Sequence, residues 1–200
     1  MHSAQHAQIA CFRPKIVGTP DPESRVTLKN TTTWGPVSRS FHWLIVALLI
    51  IQATIGLLLD DLPRGSARLH VSIGITILAL AIARLAWRIY AGRPAPLPGV
   101  TPMQQRLAAL GHLILYVLLF AVPITGWLMS NYGDHPVRWF GLFELPHLVA
   151  PNDDAHEILE ARHEQMFWAL ATVAVLHALA ATHHHMIRRN ATLTRMWRGS

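Results

Sequence analysis

The chain has one cysteine, Cys11, and little charge: only 14% of its 200 residues are Asp, Glu, Lys or Arg. A lone thiol excludes an internal disulfide, and without a Cys-x-x-Cys-His sequence a covalently attached c-type haem is excluded too. No phosphate-binding loop, hydrolytic constellation or catalytic nucleophile is present, nor any internal repeat. The first 33 residues lack the apolar core of a signal peptide and are interrupted by Pro14, Pro20 and Pro22, so residues 1–36 read as a flexible cytoplasmic tail.

Apolar residues are abundant, at 52% of the chain, and they gather in four blocks: 41–59, 69–90, 107–132 and 165–187. At a rise of about 1.5 Å per residue each block covers the roughly 30 Å hydrocarbon core of a bilayer. The first has no charged side chain; the second is uncharged to Ala83 and then includes Arg84 and Arg88, near a helix end where arginine can snorkel. Residues 37–200 therefore read as one all-α membrane domain, a four-transmembrane-helix bundle.

Its orientation follows from the basic residues of the short loops, which stay cytoplasmic. Arg13, Lys15, Arg25, Lys29 and Arg39 precede the first block; Arg84, Arg88, Arg93 and Arg106 flank the second loop; Arg188, Arg189, Arg195 and Arg198 follow the fourth. The opposite side has Arg64, Arg68, Arg138 and Arg162 and holds most of the acids, including Asp153, Asp154, Glu157, Glu160 and Glu164. Both termini are expected in the cytoplasm of a bacterial cell, with the domain in the inner membrane. Topology thus accounts for the net charge of +6, and no nucleic-acid partner is needed. Residues 93–98 form a stiff proline-rich link. Residues 133–162 read as a periplasmic segment in which 137–142 lies on the membrane surface through Trp139 and Phe140, capping the bundle.

Thirteen histidines in such a chain require a reason, because polar residues within a bilayer are costly and usually functional. His42 falls at the cytoplasmic start of the first span, His70 at the periplasmic start of the second, His112 near the cytoplasmic start of the third and His163 at the periplasmic start of the fourth. His177 lies 14 residues after His163, about 21 Å along a helix and on nearly the same face. No single ion reaches both, since zinc ligands must all lie about 2 Å from the metal. Two stacked sites remain, and each finds a partner at its own depth: His42 with His177 on the cytoplasmic side, His70 with His163 on the periplasmic side. Paired imidazoles from different helices, flanking a flat apolar cofactor inside a bundle, are what bis-histidine haem requires.

Arg84 shares the face of His70 at the cytoplasmic depth, where it can pair with haem propionates or simply snorkel. Gly56, Gly74, Gly111 and Gly126 can let haem planes approach the backbone or serve plain helix packing. His112 and His184 remain beside the inner level, available to hydrogen-bond and protonate a quinone headgroup or to anchor helix ends. His2, His6, His135, His147 and His156 read as solvated.

The segments Arg39-Ser-Phe-His42-Trp43, Leu69-His70-Val-Ser-Ile-Gly74, Leu110-Gly-His112, Arg162-His163-Glu164 and Leu176-His177-Ala-Leu-Ala-Ala-Thr-His-His184-His185 together resemble the bacterial cytochrome b561 family, in order and spacing, over about residues 37–197. The resemblance implies two haem b groups, the inner on His42 and His177 and the outer on His70 and His163, with His112 and His184 contacting ubiquinone. It is strongest to members that take electrons from periplasmic superoxide and give them to ubiquinone, an oxidoreductase activity. A long N-terminal tail, a third histidine closing the fourth span and a sparsely positive periplasmic mouth depart from that pattern. Two other readings stay open: a non-enzymatic cytochrome b subunit relaying electrons between a redox protein partner and the quinone pool, and a haem-free transporter using its histidines for proton or metal passage.

Overall fold

Local chemistry sets the helix boundaries. α1 (Pro36–Leu57) opens on a proline, whose missing N–H is no loss in a first turn. α2 (Ser66–Ala91) stops at Gly92, whose φ of 77° suits glycine. α3 (Pro102–Tyr132) starts from a capping box: the Gln104 N–H donates to Thr101 Oγ1 at 3.3 Å, and the Thr101 N–H donates to Gln104 Oε1 at 3.1 Å. α4 (Asp153–Met186) is capped by Asn152, whose Oδ1 accepts from the Ala155 N–H at 2.9 Å, with Asp153 and Asp154 favourably placed on the positive end of the helix dipole. This computed structural model describes residues 34–92, 99–187 and 192–197. The expected tail over 1–33, the proline-rich link, Arg188, Arg189 and Arg198 lie outside those residues.

All four long helices are apolar and long enough to cross a membrane. They run up and down in sequence: α1 packs on α2, α2 on α3 and α3 on α4, whereas α1 and α4 barely touch. The buried cluster is small. Ile45, Ile73, Ile77, Ala81 and Leu119 form it, with Leu48, Leu49 and Phe120 packed around them, at mid-height between the histidine levels. Large side chains such as Ile50, Ile89, Leu113 and Leu179 face outward, which water would penalise and lipid does not.

α4 begins about three turns before its apolar run. The acidic stretch from Asp153 to Glu164, expected within a loop, is helical, so His163 sits well inside α4 rather than at its start. Before it, β1 (Arg138–Trp139) pairs antiparallel with β2 (Phe143–Glu144), through a turn whose central Phe140 and Gly141 have φ of 46° and 74°. This hairpin docks on α2. Trp139 Nε1–H donates to Thr76 Oγ1 at 3.0 Å, and Ser72 Oγ donates to the Arg138 carbonyl at 3.1 Å while accepting from the Phe140 N–H at 3.0 Å. Trp139 is thereby tied to α2 and half-buried, while Phe140, Leu142 and Phe143 are the exposed apolar residues there. A short α5 (Thr192–Trp197) returns to α1 at the arginine-rich end, where Trp43 Nε1–H donates to the Met196 carbonyl at 3.0 Å and Trp43 meets Trp197 edge-on at 5.0 Å.

Candidate functional site

At the acid-rich end, His70 of α2 and His163 of α4 face each other across an apolar cleft, whose wall also includes Gln52, Gly74, Leu119, Gly126 and Trp127. Their ring centroids are 6.3 Å apart. A metal bonded at about 2 Å to one nitrogen of each imidazole sets the ring centres roughly 6 Å apart, so this pair has the spacing at which two imidazoles would hold one metal between them.

Each of these rings rests on a glycine of the preceding helix. A Cβ added at Gly56 would lie 3.0 Å from His70 Cε1, and one added at Gly126 would lie 3.0 Å from His163 Cε1. The space these glycines leave is taken by the imidazoles. Gly74 instead admits the Gln52 amide, and Gly111 has nothing near it.

The second nitrogens differ. His163 Nδ1–H donates to the Val122 carbonyl at 3.0 Å, next to Thr125 Oγ1, which fixes the tautomer and leaves the Nε2 lone pair available, the state in which a histidine can bind a metal. His70 Nδ1 is buried without a partner, as are Gln52 Oε1 and Trp127 Nε1 on the cleft wall. Orphaned polar atoms around an apolar cleft fit a site built to hold a cofactor, because leaving each unsatisfied costs about 1–3 kcal/mol.

At the arginine-rich end three histidines converge. His42, His112 and His177 lie within electrostatic reach of one another and of Arg84. The closest rings are His112 and His177, with centroids 5.0 Å apart; that is direct ring contact, too short for an intervening metal. His112 Nδ1–H donates to the Ala108 carbonyl at 2.6 Å, whereas His42 Nδ1 is buried and unpartnered. His184 Nδ1 is likewise buried without a partner, its ring 5.8 Å from that of His183. The Arg84 guanidinium lies 5.7 Å from the Tyr116 ring centre.

Sequence reasoning missed the partners of these groups. Tyr116 carries no motif, and its contact with two arginines arises only when α2 and α3 pack. His156, expected to be solvated, is half-buried, its Nδ1–H donating to the Met129 carbonyl at 2.9 Å beside His135. Among the described residues no three His, Cys, Asp or Glu side chains are placed to hold one metal ion together.

A four-helix membrane protein with histidines gathered at two depths of its bundle is the architecture of a membrane cytochrome b. Residues 33–199 match the family model described as prokaryotic cytochrome b561. Cytochrome b561 homolog 2 of Escherichia coli is 34% identical over 169 residues, covering 82% of this chain and 90% of its own. A protein named probable superoxide oxidase CybB in Yersinia pestis is 34% identical over 159 residues, 78% of this chain and 90% of that one. Cytochrome b562 of Cereibacter sphaeroides is 27% identical, with 80% and 91% covered. The chain belongs to the prokaryotic cytochrome b561 family: it is a multi-pass bacterial membrane protein of electron transfer, and membership implies haem b as its cofactor.

Proposed function

We propose that this chain holds two haem b groups, one at each histidine level, and carries electrons from periplasmic superoxide at its acid-rich end to ubiquinone at its arginine-rich, cytoplasmic end in the inner membrane. The observation that carries this reading is the arrangement of histidines in depth: His70 and His163 at ligand spacing at one end, and His42 with His177 within reach at the other. The superoxide oxidase name of the Yersinia relative supports the choice of substrate.

His70 and His163 would hold the outer group, and His42 and His177 the inner one. A haem held in this way by two imidazoles would supply one-electron exchange. Two superoxide anions then each lose one electron and leave as dioxygen, and one ubiquinone gains both electrons and two protons to become quinol. His112 and His184 are the side chains suited to hydrogen-bond the quinone carbonyls and pass it protons. The buried cluster around Ile77 and Leu119 keeps the space between the levels dry.

The test is the haem b content of purified protein, with His163→Ala and His177→Ala alongside, followed by quinone-dependent superoxide consumption. Two haems, each substitution displacing a different one, and fast consumption are expected. One observation favours a second reading, a subunit relaying electrons for a redox protein partner: the exposed Arg64, Arg68 and Arg162 at the mouth stand among Asp60, Asp61, Glu157, Glu160 and Glu164, a poor funnel for an anion. Two haems without superoxide consumption would select that relay.

A further inference from the structure

The two histidine levels sit in different electrostatic surroundings. No charged side chain is among those that line the cleft of His70 and His163, whose polar members besides the two histidines are Gln52, Trp127 and Ser130.

At the other level, Arg84 lies within reach of His42, His112 and His177, and Arg88 within reach of His112. Tyr116, one turn after His112 on α3, faces both arginines, their guanidinium carbons 5.7 and 5.5 Å from its ring centre. Both arginines are half-buried. Among the described residues neither has a carboxylate partner, the ion pairs being Arg138 and His147 with Glu144; every Asp and Glu after residue 34 belongs to the acid-rich end. Two partly buried cations without a carboxylate partner among the described residues favour an added negative charge beside them, and little salt reaches such a site to screen the attraction.

We propose that Arg84 and Arg88, held against Tyr116, are positioning residues that give electron transfer its direction, making the His42/His112/His177 level the more easily reduced of the two. The inference rests on the two-haem reading above. The step is a one-electron exchange in which the outer site is oxidised and the inner site reduced, with no bond formed or broken. The arginines act on the equilibrium of that exchange and touch neither superoxide nor its product. An arginine that only snorkels lies in bulk water, where its charge is screened and does not distinguish the two levels.

The experiment is a spectroelectrochemical titration of the full-length holoprotein, with His163→Ala marking the outer component and Arg84→Gln, Arg84→Lys and Arg88→Gln compared with it. The component that survives His163→Ala is expected to have the higher potential. Arg84→Gln should lower it enough to change the inter-haem electron equilibrium at least tenfold, equivalent to 59 mV for one electron, while the outer component moves far less. Arg84→Lys, which keeps the charge, should restore most of the difference. If Arg84→Gln loses the inner haem outright, Arg88→Gln decides, since Arg88 reaches His112 but neither of the histidines proposed to hold the inner group. A higher potential at the outer site, or an equal shift of both components, would overturn the proposal. A protein with fewer than two haems would instead overturn the reading on which it rests, and two haems without superoxide activity would leave the gradient standing.

Discussion

At the scale of single residues, the outer site is held by what its glycines lack. A methyl group at Gly126 meets His163 Cε1 at 3.0 Å and Nδ1 at 3.3 Å, and the ring cannot retreat without giving up its bond to the Val122 carbonyl. His70 has the same crowding from Gly56 but no partner on Nδ1, so it has more freedom to shift. Gly126→Ala is therefore expected to weaken outer haem retention more than Gly56→Ala, by the worth of one hydrogen bond, about 0.5–1.5 kcal/mol. Gly111→Ala, with open space at that position, should change nothing. Haem per polypeptide after detergent washing measures all three, and equal losses from Gly56→Ala and Gly126→Ala would show that the Val122 bond does not hold the ring. The sequence could not distinguish these roles, because a glycine in a membrane helix reads the same whether it admits a ring, a side-chain amide or nothing.

At the scale of elements, the sequence was most legible where one physical rule dominated. Lipid demands uninterrupted apolar runs, so four spans were countable, and the spacing of His163 and His177 placed two levels before any coordinates. The start of α4 was not legible by that rule. Its first turns are acidic and water-facing, and their helicity follows from the Asn152 cap and the dipole rather than from burial. Those turns set the height of His163, since they tie α4 to the end of α3: the Asn152 N–H donates to the Tyr132 carbonyl at 2.9 Å and the His156 ring to that of Met129. Asn152→Ala should cost about 1 kcal/mol, read as a lower thermal midpoint, whereas Asn152→Asp, which keeps the acceptor, should be close to neutral. Likewise, the hairpin was read as a surface-lying segment because Trp139 and Phe140 suit an interface. Only the packing of β1 on α2 shows that Ser72 and Thr76 satisfy its polar groups.

At the scale of the whole molecule, the separation of charge is what gives the two ends different work. Apolar packing alone is a weak clamp in lipid, where helix association gains nothing from water exclusion, and α1 and α4 barely touch. The seam between them is crossed at the arginine-rich end by α5, where Arg39 Nη1–H donates to the Trp197 carbonyl at 3.2 Å and Trp43 to that of Met196. The proposed transfer of electrons from superoxide to quinone puts that same end in the cytoplasm, where quinol would take its protons while superoxide is oxidised outside. The lone cysteine makes this testable without adding a probe. In intact spheroplasts a membrane-impermeant maleimide is expected to leave Cys11 unlabelled and to label it after permeabilisation. A Cys11→Ser, Asp61→Cys variant, with its thiol in the exposed turn between α1 and α2, should show the reverse order and label at once. Immediate labelling of Cys11 in sealed spheroplasts would put the arginine-rich end outside, against the retention of basic loops in the cytoplasm, and would reverse the direction in which His112 and His184 could draw protons.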